Sequence, residues 1–287
     1  MSAPETLGAL QRWLREQLTD IGVDDPSGDA RVLLSGLLGV QPVVLLLESQ
    51  RALQAGEFDQ VVAALERRKR REPVHRILGR REFYGLDLAL SAATLEPRPD
   101  TEILVDHVFP HLQRVIERKG CAEVLDLGTG TGAILLALLS ECAKAFGTAV
   151  DISAAALETA TENARATQVA ERFRAVESDW FEKIEGRFDI IVSNPPYITT
   201  AVVAGLAPEV RDYDPAAALD GGADGLDAYR RIAEGAAAHL EEDGIIGLEI
   251  GFDQKASVSA LFEAAGFSCL EAAKDYGGQD RVLIFTR

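Results

Sequence analysis

Apolar residues in the first quarter of the chain recur at helical spacing. Leu7, Leu10, Leu14 and Leu18 share one face of a helix that opens after Pro4-Glu5 and stops at Gly22. Arg31–Leu38 predicts a second helix, after the breaker-rich Asp25-Pro26-Ser27-Gly28 and before Gly39. Gln41–Ser49 and Glu57–Arg71 complete an expected bundle of four or five helices over residues 1–75, with neither strand alternation nor an internal repeat. The pattern then changes. Glu82–Tyr84 and Leu86–Leu90 read as short strands broken at Gly85, so residues 76–96 are expected to form a linker hairpin.

From residue 97 to residue 287 short apolar runs alternate with helical stretches, the mark of a parallel sheet covered on both faces. Strands are predicted at Glu123–Leu127, Thr148–Ile152, Phe173–Ser178, Phe188–Ser193 and Ile245–Ile250. Helices are predicted at Ala133–Ala143, Ala154–Thr167, Leu226–Leu240 and Gln254–Ala265. Ser268–Ala273 and Arg281–Thr286, joined through Gly277-Gly278, are too close in sequence to be anything but antiparallel neighbours. The fold class is α/β: a seven-stranded, mostly parallel, Rossmann-like sheet with one antiparallel strand, preceded by a small helical bundle.

Composition narrows the function. Against 29 Lys and Arg stand 46 Asp and Glu, a net charge of −17, which disfavours a broad grip on nucleic-acid phosphates. Residues 1–80 balance at 11 acidic and 11 basic, so residues 81–287, with 35 and 18, carry the whole excess. The one concentrated basic run, Arg67–Arg71, reads either as a solvated helix end or as a contact for an acidic partner. Apolar runs such as Val43–Leu47 fall far short of the ~20 residues that span a bilayer. Cys121, Cys142 and Cys269 match neither a disulfide framework nor a metal site, and the first residues lack the features of a secretory signal. A cytoplasmic protein, monomeric and without metal or membrane partner, is expected.

The first chemical signal is Asp126-Leu127-Gly128-Thr129-Gly130-Thr131-Gly132, between a predicted strand and a predicted helix. Glycines there permit a tight turn and close approach of a ligand. Asp151 ends the next strand, 23 residues beyond Gly128, where a carboxylate can accept hydrogen bonds from ribose hydroxyls. An adenosine-containing cofactor follows. Gly128, Gly130 and Ala133 also satisfy the dinucleotide pattern, so a nicotinamide cofactor competes with S-adenosylmethionine. The second is favoured by Asp126, better suited to an ammonium group than to a pyrophosphate, and by the reversed terminal hairpin.

The second signal is Asn194-Pro195-Pro196-Tyr197, at the carboxyl end of Phe188–Ser193 and so beside the cofactor crevice. As structure alone it is a rigid turn. As chemistry it suits an amide or exocyclic amino nitrogen, whose delocalised lone pair makes it a poor nucleophile. The Asn194 side-chain oxygen and the Pro195 carbonyl can take its two N–H groups, orient it and favour pyramidal character for attack on a sulfonium methyl. Tyr197 can stack on the flat substrate group, and the prolines hold the acceptors in place. The nitrogen loses its proton once alkylated, so no strong general base is demanded.

At this point the chain resembles the HemK-type protein-(glutamine-N5) methyltransferases that modify peptide chain release factors, almost from end to end. The resemblance rests on Glu72-Pro73-Val74 with Ile77-Leu78-Gly79, Glu82-Phe83-Tyr84-Gly85, Pro97-Arg98-Pro99-Asp100-Thr101-Glu102, Val124–Gly132, Ser193–Ile198, Pro208–Tyr213 and Asp220–Gly225. It implies a helical domain that helps recognise the release factor and a domain that methylates its Gly-Gly-Gln glutamine. It also implies S-adenosylmethionine contacts from Asp126, Leu127, Gly128, Thr129, Gly130, Asp151, Trp180 and Asn194, with Asn194–Tyr197 binding the glutamine. Arg98 falls on the substrate side, although an ion pair with Glu102 is the plainer reading, and Trp180 reads either as an adenine platform or as a packing residue. Glu96 stands where the family often has an aliphatic residue, which puts the local substrate contacts, but not the chemistry, in doubt; Asp100 in place of the familiar Glu is a mild change. Gly277-Gly278-Gln279 spells the substrate tripeptide, but at an expected hairpin turn. The rivals are a DNA or RNA amino-methyltransferase, a glutamine methyltransferase acting on a ribosomal protein, and a cofactor-binding module without catalysis.

Overall fold

The computed structural model describes residues 3–287. The chain forms two compact units, divided between Arg80 and Arg81. Among the described residues the first holds five helices: α1 (Leu7–Asp20), α2 (Pro26–Leu38), α3 (Pro42–Leu47), α4 (Glu57–Lys69) and α5 (Val74–Leu78). Leu7, Leu10, Leu14 and Leu18 of α1 are fully buried against Leu33, Leu34, Leu45, Val61 and Leu65. One expectation needs correcting. Asp25-Pro26-Ser27-Gly28 does not break the chain but starts α2: the Asp25 side chain accepts from the Gly28 N–H at 2.8 Å and Pro26 takes the first helical position. Aspartate as the cap followed by proline is a strong helix start, because proline lacks the N–H that would otherwise go unmet.

The basic run is partly internal scaffolding. Arg68 is buried and paired with Asp29 at 2.8 Å, while Arg67 binds Glu72 and donates to the Ile77 carbonyl at 2.9 Å.

The hairpin of β1 (Arg80–Phe83) and β2 (Leu86–Ala89) starts at the division, and the second unit continues with a turn of 3-10 helix at Pro99–Thr101 and the long helix α6 (Glu102–Lys119). The alternating part is β3 (Ala122–Leu127), α7 (Ala133–Glu141), β4 (Ala145–Asp151), α8 (Ala154–Ala166), β5 (Phe173–Glu177) and β6 (Phe188–Ser193). Two short helices, α9 (Thr200–Val203) and α10 (Pro208–Arg211), precede α11 (Asp227–His239), β7 (Leu240–Glu249), α12 (Lys255–Ala264), β8 (Ser268–Lys274) and β9 (Asp280–Thr286). The seven strands lie in the order β5-β4-β3-β6-β7-β9-β8. All neighbours are parallel except those of β9, which inserts antiparallel between β7 and β8.

Alternation along each strand sends successive side chains to opposite faces. Val124, Ile190, Val192 and Ile245 join one core under α6, α7 and α8; Leu125, Leu127, Ile191, Ile246 and Leu248 join the other under α11 and α12. Gly247 lets α6 lie close to the sheet, since a Cβ there would sit 2.6 Å from Val108. The chain runs outward from β3 through β4 to β5, then returns to place β6 on the other side of β3. That reversal leaves a crevice at the carboxyl ends of β3 and β6, where open α/β sheets bind their ligands.

Candidate active site

Both sequence motifs reach this crevice. Asp126 lies near the end of β3 and is buried, 1% exposed. Its Oδ2 accepts from Thr129 Oγ1 at 2.7 Å, while Oδ1 has no hydrogen-bond partner. Burial pushes its carboxyl up from 3.8 to about 7, a rise reinforced by the nearby Asp151 charge and only partly offset by Thr129 and the Leu135 amide. A buried carboxylate with one oxygen unpaired is costly unless a cation meets it.

The loop after it is wound on glycines: Gly128, Gly130 and Gly132 have φ of 70°, 54° and 83°. Only glycine holds such angles in sequence without strain. The amides of Gly128, Thr129 and Gly130 are already committed. Gly128 and Thr129 donate to the Val150 carbonyl at 2.8 and 2.9 Å, and Gly130 donates to Asp151 Oδ2 at 2.9 Å. A pyrophosphate draws on such N–H groups, so these three donors are not at the disposal of a dinucleotide. Leu127 is core by its side chain, and its carbonyl accepts from Ser193 Oγ at 2.6 Å, which clamps the loop to the end of β6.

Asp151 ends β4 half-buried, with Oδ1 accepting from the Ser153 amide at 2.9 Å. Each oxygen keeps a second lone pair for a ligand hydroxyl. The Ser178 amide donates to the Asp151 carbonyl at 3.0 Å, which brings the Ser178-Asp179-Trp180 turn alongside. Trp180 is half-buried against the apolar cluster around Tyr229 and has a φ of 50°. A bulky residue in the left-handed region stores strain, which collects at ligand sites.

Asn194, Pro195 and Tyr197 line a cleft with Leu95, Arg98, Ile198, Ala218 and Leu219. Pro196 sits on its backbone side: a Cβ added to Gly221 would stand 2.7 Å from the Pro196 oxygen, so the Asp220–Gly225 loop packs directly onto the turn. Arg98 faces this cleft rather than Glu102, whose carboxylate instead accepts from the Tyr84 amide at 2.8 Å. Glu96 pairs with Arg81.

Three residues joined to the site carried no role in the sequence reading. Glu249, 1% exposed at the end of β7, accepts from Thr101 Oγ1 at 2.6 Å and from Tyr197 OH at 3.4 Å. Asn194 Nδ2 donates to the same Thr101 Oγ1 at 3.3 Å. Burial raises the Glu249 carboxyl, opposed by the Thr101 hydrogen bond and by Arg281 and Arg98. Gln254 staples the turn from behind, donating to the carbonyls of Tyr197 and Gly225 at 3.1 and 3.0 Å. The signal for Glu249 was present: a single carboxylate inside the apolar run Ile245–Ile250.

Asp126 thus offers a buried anion to a cationic amino acid moiety and Asp151 a carboxylate to a ribose, which fits S-adenosylmethionine. Fold and site together define an S-adenosylmethionine-dependent methyltransferase. Comparison with known proteins carries this further. Residues 100–207 match the Methyltransferase small domain family and residues 9–79 the PrmC N-terminal domain. The chain is 57% identical over 273 residues to a release factor glutamine methyltransferase of Agrobacterium fabrum, spanning 95% of this chain and 94% of that one. Against the Caulobacter vibrioides enzyme of the same name it is 40% identical over 282 residues, spanning 97% and 96%. The chain belongs to the release factor glutamine methyltransferase family. Two solved structures share its fold at low identity. The catalytic domain of hMettl16, in complex with an RNA hairpin, has a TM-score of 0.55 at 13% identity, covering 82% of this chain and 84% of that one. A ribosomal protein L11 methylase of Lactobacillus delbrueckii has 0.50 at 18%, covering 70% and 93%.

Proposed function

We propose that this chain methylates the side-chain amide nitrogen of the glutamine in the Gly-Gly-Gln motif of a release factor, with Asn194–Tyr197 as the glutamine site. One observation carries the assignment of the site. Asp126, with its unpaired buried oxygen, and the Asn194–Tyr197 turn share one crevice, tied by the 2.6 Å bond from Ser193 to Leu127. Bound S-adenosylmethionine supplies an electrophilic methyl group on a sulfonium. Asp126 holds the ammonium of its methionine part, Asp151 the ribose hydroxyls, and Trp180 lies against the adenine.

The chain's own work is on the amide. The Asn194 oxygen and the Pro195 carbonyl take the two N–H groups of the glutamine and fix the direction of its nitrogen. Tyr197 stacks on the amide plane. These are preorganised dipoles held by prolines, Gln254 and the Asp220–Gly225 loop, so they need no rearrangement as charge develops. Arg98, in the cleft wall, contacts the peptide around the glutamine.

A protein substrate is favoured over a nucleic acid by charge: the catalytic unit holds 35 acidic residues against 18 basic, where a phosphate backbone would meet repulsion. The test is incubation of the full chain with purified release factor and labelled S-adenosylmethionine, then mass mapping. A single methyl on the Gly-Gly-Gln glutamine is the expected result. Label on RNA or DNA, or on a protein other than a release factor, would overturn the assignment.

A further inference from the structure

We infer that Thr101 and Glu249 are positioning residues that set which end of the Asn194 amide faces the substrate. The inference rests on the glutamine site proposed above and adds to it an internal relay. Three bonds make up the relay: Asn194 Nδ2 to Thr101 Oγ1, 3.3 Å; Thr101 Oγ1 to Glu249 Oε2, 2.6 Å; and Tyr197 OH to Glu249 Oε1, 3.4 Å.

The polarity of this chain follows from what each group can do. A carboxylate only accepts, so the single hydroxyl proton of Thr101 goes to Glu249. Thr101 Oγ1 is then left with lone pairs alone and can only accept from Asn194. It therefore binds the NH₂ end of the amide. The oxygen end is turned away from Thr101 and kept for the glutamine. In the opposite orientation, two donors would meet, the Asn194 NH₂ and the substrate NH₂, and the nitrogen would lose one of the acceptors that orient it.

Glu249 is well placed for the task. It is anchored at a strand end, 1% exposed, and the Tyr229 hydroxyl donates to its own backbone carbonyl at 2.9 Å. Thr101 is 4% exposed, where the last residue of the 3-10 turn meets α6. Of the residues assigned to the cofactor only Asn194 is bonded to the relay, through its Nδ2; Asp126 and Asp151 are held by other partners, so the relay bears on the amide site first. A carboxylate in this position also needs no proton exchange with substrate: both its oxygens serve side chains of the protein.

The test compares Thr101→Val, Thr101→Ser and Glu249→Gln in the full chain. Thr101→Val keeps the shape and removes the hydroxyl; Thr101→Ser restores it. Glu249→Gln has an NH₂ that can donate to Thr101 and release its proton toward Asn194. Thr101→Val and Glu249→Gln should each lower kcat about tenfold to a hundredfold. The Kd for S-adenosylmethionine by calorimetry should stay within about twofold, and Thr101→Ser should recover most of the rate. A second readout needs no release factor. In the ¹⁵N side-chain amide spectrum, assigned by loss in Asn194→Ala, one Asn194 proton should be shifted downfield in wild type and Thr101→Ser and move back in Thr101→Val.

Wild-type kcat in Thr101→Val, a loss confined to cofactor affinity, no recovery in Thr101→Ser, or an unmoved Asn194 resonance would each overturn the inference. If Thr101→Val does not fold, Glu249→Gln carries the same comparison. If wild type fails to methylate release factor but the Thr101-dependent resonance is present, the functional reading falls and the relay stands.

Discussion

Replacing Asp126 with Asn should stabilise the ligand-free protein and weaken its hold on S-adenosylmethionine at once. The side chain is buried, one of its oxygens lacks a partner, and its carboxyl is raised from 3.8 to about 7. A carboxyl whose folded pKa lies above its unfolded one takes up a proton on folding. Its burden is therefore absent below about pH 4, grows as pH rises through the window between the two values, and is constant above about 7. Displacing the carboxyl this far costs about 4 kcal/mol once it is fully ionised, of which about 2–3 kcal/mol falls between pH 5 and pH 8. Asn has no such titration, and its oxygen can still accept from Thr129. The assay is urea unfolding of both proteins at pH 5 and pH 8, followed by Trp180 fluorescence in a Trp13→Phe background so that the signal comes from the catalytic unit. The stability of wild type relative to the Asn variant should fall by about 2–3 kcal/mol across that range. Cofactor affinity should move the other way, with the variant binding about 10–100-fold more weakly at pH 8 because a charge-assisted hydrogen bond is lost. A difference in stability that is flat from pH 5 to pH 8 would refute the reasoning, since Asp126 would then carry no burial penalty for a cofactor ammonium to relieve.

Asp151→Ala should weaken S-adenosylmethionine binding by about tenfold or more, because it removes the carboxylate and frees the Gly130 amide it restrains at 2.9 Å; unchanged affinity by calorimetry would count against the ribose contact. Asn194→Ala should keep cofactor affinity within a few-fold while lowering the rate of methyl transfer about a hundredfold, and turnover equal to wild type would remove Asn194 from the mechanism. Gly221→Ala should act on kcat rather than on cofactor Kd, because its Cβ would stand 2.7 Å from the Pro196 oxygen and 2.9 Å from the Tyr197 Cα, both backbone atoms that move only with the turn. Association with a release factor should slow as salt rises, read as kcat/KM against ionic strength, if the acidic catalytic unit steers a basic Gly-Gly-Gln loop; a flat or rising profile would exclude steering.

Sheet and helices were legible because their period is local. Val124, Leu125 and Leu127, or Ile190, Ile191 and Val192, are apolar runs bounded by Gly, Pro and Asn, and they became central strands buried on both faces. The reversed terminal hairpin followed from its short turn, although in the structure only Gly278 of the Gly-Gly pair takes a positive φ, 81°. Helix starts were less legible: at Asp25-Pro26 the residues that break a helix interior are those that begin one. The insertion of β9 between β7 and β8 could not be read, because strand order is set by pairing across the sheet rather than by neighbours in sequence. Likewise the site's glycines and its Asn-Pro-Pro-Tyr turn are contiguous motifs, whereas Thr101 and Glu249 are 148 positions apart and meet only on folding. Asn163 is the same case: from α8 it holds both backbone groups of Ala89 and the Thr131 carbonyl of the cofactor loop, over distances of 2.8, 3.1 and 2.9 Å.

The two buried carboxylates of the crevice show how hydrogen-bond completeness assigns a role that burial alone does not. Asp126 and Glu249 are each 1% exposed, and each has its carboxyl raised by burial. Asp126 has one oxygen satisfied and one without a partner, so its cheapest charged state requires a cation from outside the chain. Glu249 has both oxygens engaged, by Thr101 and Tyr197, with Arg281 and Arg98 close enough to favour its charge. Its charge is met from within, and what it can deliver is orientation. A general base at this position would have to leave those partners to take a proton. An amide nitrogen loses its proton readily once alkylated, so a fixed acceptor pair does more for the reaction than a mobile base. On the proposed function, the incomplete carboxylate is the one matched to a cationic cofactor and the complete one to the geometry of the glutamine site.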